Sequence, residues 1–238
     1  TDNCPGPLAE TASTVGTCVA TITVTTSDAY GNSATTAYNT RIDNTPPTLV
    51  CRTNSIFLNA AGSYTLQLAD VLNTAASSDN CGAYTVTGIN PATLNCSQVG
   101  TTVPVTVTAV DPCGNTSSCV ANITVQKGTA LPPPYVHNEV GASGQIPGTA
   151  AYDPCEQTFT ITSTGFSTNM GDDAHYAYQT LCGNSSITAH VLGVQNGWGG
   201  IMLRETLLPG SKKVALKVDF APGGSNSLIR EARAATNG

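Results

Sequence analysis

Apolar and polar residues alternate at every second position along three stretches of the chain, Val19–Thr26, Val103–Val110 and Val120–Gln126. A period of two in segments rich in β-branched residues predicts half-buried β-strands. Threonine at the outward positions suits a pleated, partly hydrated surface without requiring charge. Gly, Asn, Asp and Pro separate the strands at short intervals, as in β-sandwiches. Only Leu66–Leu72 suggests a short helix, so the predicted class is all-β.

The composition narrows the class of function. Charged residues make up 10% of the 238 residues, and the formal net charge is −6. With 9 Lys and Arg against 15 Asp and Glu, the chain lacks the basic surface that attracts nucleic acid or an anionic membrane. The chain contains no run of about 18 apolar residues, so its sequence does not predict a membrane span. We therefore expect no nucleic-acid partner and no membrane insertion.

Two segments share one order of features: V-G-T, an alternating strand, D-x-x-G-N and a second threonine-rich strand. They span residues 15–33 and 99–116, and a D-N-C motif precedes each, at 2–4 and 79–81. Because chance does not place four matched features in one order, the chain contains a repeat. The second copy is complete from about residue 44. We expect the first copy to be the C-terminal part of a repeat that begins before this chain, which would make the chain an excerpt of a longer array.

The second copy resembles a known family of extracellular domains. Its motifs are D-N-T-P-P-T-L-V-C at 43–51, S-D-N-C-G at 78–82, C-S-Q-V-G-T at 96–101 and V-T-V-T-A-V-D-P-C-G-N-T-S-S-C at 105–119. This order is similar to the hyalin repeat (HYR) domain, in particular to tandem arrays on surface adhesins of Bacteroidota-type bacteria. The resemblance implies tandem immunoglobulin-like β-sandwiches that serve as spacers or adhesive modules. It assigns residues 1–43 to part of one repeat and 44–130 to a complete repeat.

The chain changes character after the proline-rich stretch L-P-P-P-Y at 131–135. The element G-I-M-L-R-E-T-L, which follows a tryptophan, makes residues 131–238 similar to concanavalin A-like jelly-roll domains of bacterial secreted proteins. The resemblance implies a partial jelly roll, and we expect either that the domain is truncated at the end of this chain or that its remaining strands come from elsewhere. The sequence predicts six further strands here: Phe159–Phe166, His175–Leu181, Ile187–Val194, Gly200–Leu207, Lys213–Phe220 and Ser227–Arg233.

The chain has nine cysteines, which favour an oxidising, extracellular setting. The repeat suggests a local disulfide after each D-N-C motif and a disulfide that joins the two ends of the complete repeat. The predicted disulfides are Cys4–Cys18, Cys81–Cys96, Cys51–Cys119 and Cys155–Cys182. Cys113 is left over, and a buried thiol, exchanged pairing with Cys81 or Cys96, and an intermolecular bond all stay open for it. Zinc is disfavoured, because no C-x₂-C pair or nearby histidine accompanies these cysteines.

The D-x-x-G-N motifs predict hairpin turns. In such turns the aspartate accepts hydrogen bonds from its own turn, and the Gly and Asn adopt left-handed conformations. Calcium is the alternative interpretation, because aspartates near domain ends would supply oxygen ligands. The candidate calcium ligands are Asp43, Asp70, Asp79 and Asp111. No other cofactor is indicated.

No catalytic residue is indicated, because the acids Asp172, Asp173 and Glu205 lack the paired spacing that glucanases use. The predicted function is a non-catalytic structural or adhesive segment of a larger bacterial surface protein or secreted fibre. Its partners would be neighbouring copies or flanking domains of the same protein.

The alternative function is a carbohydrate-binding accessory region of a secreted glycan-active enzyme, with an extracellular polysaccharide as its partner. Trp198, Tyr176 and Tyr178 are the candidate residues, because aromatic rings stack on pyranose rings. Tyr176 and Tyr178 share one face of a predicted strand, and aromatic residues at that spacing more often pack in a core.

Overall fold

Nearly all regular structure in the chain is β-strand, which confirms the all-β class. The chain divides into two compact units, residues 1–127 and 128–238. The predicted boundary at 130/131 lies close to this division. The computed structural model describes residues 6–16, 18–41, 43–141, 147–165, 171–195, 197–219 and 227–235.

The first unit begins with an antiparallel three-stranded sheet, called here the first sheet. It consists of β1 (Ala9–Val15), β2 (Val19–Ser27) and β3 (Ser33–Arg41), in the order β1-β2-β3. Strand β2 confirms the strand predicted at 19–26. Ala20 is fully buried, but Val15 remains 73% exposed. The described part of the first sheet therefore has only a small core.

The remainder of the first unit, residues 44–127, is called here the second repeat and contains two sheets. The larger sheet has the order β4-β9-β8-β6, and the smaller sheet pairs β5 with β7. Strand β4 runs parallel to β9, and the other pairs are antiparallel. A one-turn helix, α1 (Leu68–Val71), confirms the short helix predicted at 66–72. The strands are β4 (Thr53–Phe57), β5 (Ser63–Thr65), β6 (Thr85–Asn90), β7 (Thr93–Asn95), β8 (Thr102–Val110) and β9 (Thr116–Gln126).

The core of the second repeat follows from the alternation along β8 and β9. In the segments 105–109 and 121–125 every second residue is apolar and has no exposed surface, whereas the residues between are threonine or asparagine. Leu94 in β7 and Leu72 after α1 are also fully buried. This organisation belongs to the β-sandwich class. The fully buried residues of the two central strands are Val105, Val107, Ala109, Ala121, Ile123 and Val125.

The described residues of the second unit form three separate small sheets. Strand β10 (Val136–Val140) pairs with β13 (Ala174–Tyr178), and β11 (Thr149–Asp153) pairs with β12 (Thr158–Thr162). The third sheet is antiparallel and has the order β14-β15-β16. Its strands are β14 (Trp198–Arg204), β15 (Lys213–Asp219) and β16 (Ser227–Arg233).

Five of the strands predicted in this unit overlap observed strands, and the sixth is wrong. Residues 187–194 form no regular structure, although their sequence alternates. Alternation makes a segment compatible with a sheet, but a strand also requires a neighbour that accepts and donates its backbone hydrogen bonds. Strands β10 and β11 were not predicted from the sequence. Phe166 and Phe220, at the ends of two predicted strands, lie outside the described residues.

Candidate functional site

The cysteines pair only partly as expected. Cys51 and Cys119 form the predicted disulfide, with an S–S distance of 2.01 Å. Cys96 and Cys155 are also disulfide-bonded. The predicted pairs Cys81–Cys96, Cys155–Cys182 and Cys4–Cys18 are wrong, because one member of each carries a thiol. Cys4 itself lies outside the described residues, and the thiols are those of Cys18, Cys81, Cys113 and Cys182.

The two cysteines predicted to pair after the second D-N-C motif have different surroundings. Cys96 lies at the start of a 3₁₀ turn, where its Sγ is 3.6 Å from the carbonyl oxygen of Gly62. The main-chain N–H of Cys81 donates to Asp79 Oδ2 at 2.9 Å. Cys81 meets Cys18 of the first sheet, whose Sγ lies 3.8 Å from the Cys81 carbonyl oxygen. Spacing along the chain did not reveal this contact.

Three thiols and two carboxyl groups meet where the first sheet joins the second repeat. One set of mutually close ligand atoms comes from Cys18, Asp43 and Cys81, and a second set comes from Asp43, Asp111 and Cys113. Within each set the atoms lie within 4.8 Å of one another. These five residues are called here the junction cluster. Four of them are buried, and Cys81 is half-buried.

The two D-x-x-G-N turns have the same internal hydrogen bonds. In the first copy the main chain and side chain of Asn32 donate to the two carboxylate oxygens of Asp28 at 2.8 and 2.7 Å. In the second copy the equivalent bonds from Asn115 to Asp111 are both 2.7 Å. The hairpin interpretation is therefore confirmed.

The glycines of both turns adopt the left-handed conformation, with φ of 88° at Gly31 and 83° at Gly114. The asparagines do not adopt positive φ, which corrects that part of the prediction. Their side chains donate to the aspartate instead, so the turn closes without a second left-handed residue.

The second turn also holds the linker that leads from the first sheet. The side-chain amide of Asn115 donates to the main-chain carbonyls of Asp43 and Thr45, at 3.3 and 3.4 Å. The Asp43 carboxylate accepts hydrogen bonds from the Thr45 N–H at 3.0 Å and from the Asn80 side chain at 3.2 Å. The D-N-C and D-x-x-G-N motifs of the second repeat thus both bind Asp43, which brings the junction cluster together.

The electrostatics of the junction cluster favour a carboxylate beside neutral thiols. The main-chain N–H of Thr45 and the Asn80 amide hold the pKa of Asp43 below its usual value, although burial opposes the shift. Loss of hydration raises the pKa of Cys81 and of Cys113 to about 12, with further contributions from Cys18. Both thiols are therefore protonated at neutral pH when no cation is bound.

The four aspartates proposed as calcium ligands do not come together. Asp43 and Asp111 lie in the junction cluster. Asp70 instead caps α1, where its Oδ2 accepts from the Gln67 N–H at 2.8 Å and from the Tyr64 hydroxyl at 3.1 Å. In the described part of the chain, Asp79 is in neither set of ligand atoms. A four-aspartate site therefore does not form from these side chains.

A second concentration of ionisable groups lies in the second unit and is called here the charged network. Its centre is Asp172, whose carboxylate contacts Lys213 Nζ at 2.5 Å, Arg204 at 3.2 Å and Arg233 at 3.3 Å. Burial opposes ionisation of Glu231, but hydrogen bonds from lysines hold its pKa below the usual value. The members of the charged network are Asp172, Arg204, Lys213, Lys217, Glu231 and Arg233.

The charged network determines which face of the β14-β15-β16 sheet is buried. Along β15, Lys213 and Lys217 are 3% and 7% exposed. Val214 and Leu216, on the opposite face, are 47% and 42% exposed. Leu228 in β16, paired with Val218 of the same apolar face, is 73% exposed. The sheet therefore buries its charged face and exposes an apolar one.

The candidate sugar-stacking residues are already in contact with protein cations. Lys217 Nζ lies 4.4 Å from the centre of the Trp198 ring, and the Arg204 guanidinium lies 5.3 Å from that of Tyr176. Loss of hydration raises the pKa of Tyr176 to about 12. Tyr178 is half-buried at the end of β13, opposite Val136 of β10. The structure brings Trp198 and Tyr176 to the charged network.

A hydrogen-bonded pair of histidines lies on β10 and β13. His175 Nδ1 is 2.9 Å from the Glu139 carboxylate, and its Nε2 is 3.0 Å from His137 Nδ1. The Gly148 N–H and His175 hold the pKa of Glu139 below its usual value against the effect of burial. This arrangement was not predicted from the sequence, because β10 itself was not predicted.

Comparison with known proteins identifies no family. No family model and no curated protein matches the chain. Among solved structures, extracellular cadherin domains 1–4 of protocadherin gamma B7 align with 97% of this chain and 66% of that chain, at 9% identity and a TM-score of 0.25. No helix in the described residues is long and apolar enough to cross a bilayer.

Proposed function

We propose that the chain is a non-catalytic structural or adhesive segment of an extracellular protein, with HYR-like β-sandwich repeats joined in series. The junction between the first sheet and the second repeat supports this proposal most directly. The Asn115 amide belongs to the turn motif of the second repeat and donates to main-chain carbonyls of the preceding linker. Because the motif belongs to the repeat, further copies would be joined in the same way.

The Cys51–Cys119 disulfide supports a location outside the cell, on a cell surface or in a secreted fibre, since structural disulfides persist in oxidising compartments. It joins residues 68 apart in the sequence. Cys51 precedes β4 and Cys119 lies in β9, so the bond connects the start of the repeat to its last strand. A module clasped in this way resists separation of its ends under tension.

The second unit is proposed to be part of a concanavalin A-like domain. Its support is the exposed apolar face of the β14-β15-β16 sheet, which is typical of a layer that packs against another layer. Neighbouring copies or flanking domains of the same protein are the proposed partners.

The charged network supports a non-catalytic role. A glycosidase requires two carboxyl groups that face the scissile bond across a cleft. Here Asp172 is fully buried and bound by Lys213, Arg204 and Arg233. The contact of Lys217 with Trp198 likewise disfavours a carbohydrate-binding role.

Electron microscopy and a polysaccharide-binding screen together test the proposed function. We expect elongated particles or filaments from the parent protein and no binding of this chain to polysaccharides. Trp198→Ala and an exposed aromatic control, Tyr30→Ala in the first sheet, would be screened alongside. Polysaccharide binding that is lost in Trp198→Ala and retained in Tyr30→Ala would overturn the proposal in favour of a carbohydrate-binding region.

A further inference from the structure

We propose that the junction cluster is a structural zinc site, with Cys18, Cys81, Cys113 and Asp43 as its ligands. The site would link the first sheet to the second repeat through a bound cation. This inference concerns the junction alone and does not depend on an adhesive or a structural role for the parent protein.

The donor atoms match zinc in kind and in number. Zn²⁺ in structural sites takes four ligands in a tetrahedron and accepts thiolate sulfur together with carboxylate oxygen. With Zn–S bonds of about 2.3 Å, the sulfurs of a tetrahedral site lie ~3.8 Å apart. Of the proposed ligands, Cys18, Asp43 and Cys81 have ligand atoms within 4.8 Å of one another, and Cys113 is within 4.8 Å of Asp43, which both sets share. Closing the site around one ion therefore requires the Cys113 side chain to approach those of Cys18 and Cys81.

The ligand set also favours zinc over calcium. Ca²⁺ takes six to eight oxygen ligands, whereas the junction cluster offers three sulfurs beside its carboxyl groups. Thiolates select soft or borderline cations such as Zn²⁺.

The surroundings of the cluster contain the groups that hold metal ligands in place. Asp111 lies beside Asp43, and their ligand atoms are within 4.8 Å of each other. The Asn80 amide donates to Asp43 Oδ1 at 3.2 Å and lies 3.6 Å from Cys81 Sγ. Hydrogen bonds of this kind orient ligands and strengthen metal binding. Zinc binds cysteine as the thiolate, so binding is accompanied by proton release.

The ligands come from both sides of the junction. Cys18 precedes β2 of the first sheet, and Asp43 lies in the linker. Cys81 and Cys113 belong to the second repeat, in the D-N-C motif and in the β8–β9 turn. A bound cation would therefore hold the first sheet and the second repeat in a fixed relative orientation. It would resist rotation between them more strongly than the hydrogen bonds of the junction do by themselves.

The competing chemistry is oxidation. Two of the three thiols could form a disulfide, losing two protons and two electrons to an oxidant such as molecular oxygen, and the third thiol would remain. The experiment must therefore distinguish bound metal from a new disulfide in the same protein.

Cobalt substitution tests the site directly. The full chain is prepared without oxygen and without strong reductant, so that the Cys51–Cys119 disulfide survives, and is titrated with Co²⁺. We expect about one equivalent to bind with thiolate-to-cobalt charge transfer and the visible bands of a tetrahedral ion, both displaced by Zn²⁺. Replacement of any one ligand cysteine should remove the charge-transfer intensity of one sulfur or abolish metal binding. The three variants are Cys18→Ser, Cys81→Ser and Cys113→Ser. Cys182→Ser, which removes an exposed thiol outside the cluster, should bind normally.

The positioning role of Asp111 gives a graded test. Asp111→Asn should weaken zinc binding by about 10–100-fold while retaining the tetrahedral cobalt spectrum. A spectrum that changes to that of a higher-coordinate ion would show instead that Asp111 is itself needed as a ligand, and would overturn the proposed ligand set.

The native protein provides a readout that does not depend on any variant folding. Zinc should protect Cys18, Cys81 and Cys113 from alkylation, as measured by mass spectrometry, while Cys182 reacts freely. A disulfide between any two of the three in protein purified with zinc, or binding of Co²⁺ without a thiolate band, would overturn the proposal.

Discussion

The larger sheet of the second repeat and the β14-β15-β16 sheet of the second unit bury opposite kinds of face. Strand β8 buries Val105 and Val107, whereas β15 buries Lys213 and Lys217 and exposes Leu216 between them. Both strands alternate apolar and polar residues. Alternation therefore determines that a strand has two distinct faces, but it does not determine which of them is covered.

The physical reason lies in the neighbours of each face. In the second repeat, apolar side chains from two sheets and α1 remove one another from water, at about 25 cal/mol per Å² of apolar surface buried. In the second unit, the buried ammonium groups meet carboxylates of Asp172 and Glu231. A buried charge is tolerated only when it is paired and hydrogen-bonded. The acids that pair with these lysines are distant from them in the sequence.

The largest expected effect comes from breaking the buried face of β15. Lys213→Met removes one partner of Asp172 and should lower the free energy of unfolding of the second unit by about 3–5 kcal/mol. Urea denaturation followed by the fluorescence of Trp198, the only tryptophan, measures this. Lys212→Met is the matched control, because Lys212 and Glu205 form an exposed pair at 3.8 Å, a type worth less than about 1 kcal/mol. Equal losses in the two variants would show that the charged face is not buried.

Truncation of one apolar side chain on each sheet tests whether the apolar face is buried in the second repeat and exposed in the second unit. Ile123→Ala in β9 leaves a cavity in the core of the second repeat and should cost about 2–5 kcal/mol. Leu216→Ala in β15 should change stability by less than about 0.5 kcal/mol, because that side chain is exposed. Urea denaturation followed by circular dichroism measures both. A large cost for Leu216→Ala would mean that the apolar face is covered in solution.

The two D-x-x-G-N turns allow a comparison within the first unit. Asp111→Ala removes the acceptor of two hydrogen bonds from Asn115 and so weakens the hydrogen bonds from Asn115 to the linker. We expect the free energy of unfolding to fall by about 1–3 kcal/mol. Asp28→Ala removes the same local bonds from an exposed turn and should destabilise the protein less. Chemical denaturation of both variants tests this order. If Asp28→Ala cost as much as Asp111→Ala, the contact with the linker would contribute nothing to stability.

The smallest expected effect is the response to acid. The folded-state pKa of Glu231 is lowered, so the unfolded state binds a proton more readily. Its stabilising contribution is complete above the unfolded pKa, near 4.3, and is lost as the pH falls through the lowered folded value. Glu231→Gln should therefore flatten the decline in the melting temperature of the second unit below about pH 4. Glu205→Gln, in the exposed pair, is the control, and an equal flattening there would contradict the assignment to Glu231.

Local sequence predicted the features that depend on neighbours in the chain. Period-two alternation placed β2, β8 and β9, and the D-x-x-G-N motif predicted both hairpin turns, because their hydrogen bonds close within five residues. The Cys51–Cys119 disulfide followed from the likeness of the second copy to a known repeat. The wrong strand at 187–194 shows where this reasoning ends, since no partner for its backbone can be identified locally.

By itself, the sequence determined the all-β class, the internal repeat and the conformation of its turns, because alternation and turn chemistry act over a few residues. The tertiary structure alone decided which thiols meet, because Cys18, Cys81 and Cys113 come from three separate segments that only the junction brings together. It also decided that β15 buries its lysines, because the paired acids Asp172 and Glu231 reach them from distant positions. Burial and ion pairing depend on the neighbours that folding supplies, which the spacing of residues along one strand does not specify.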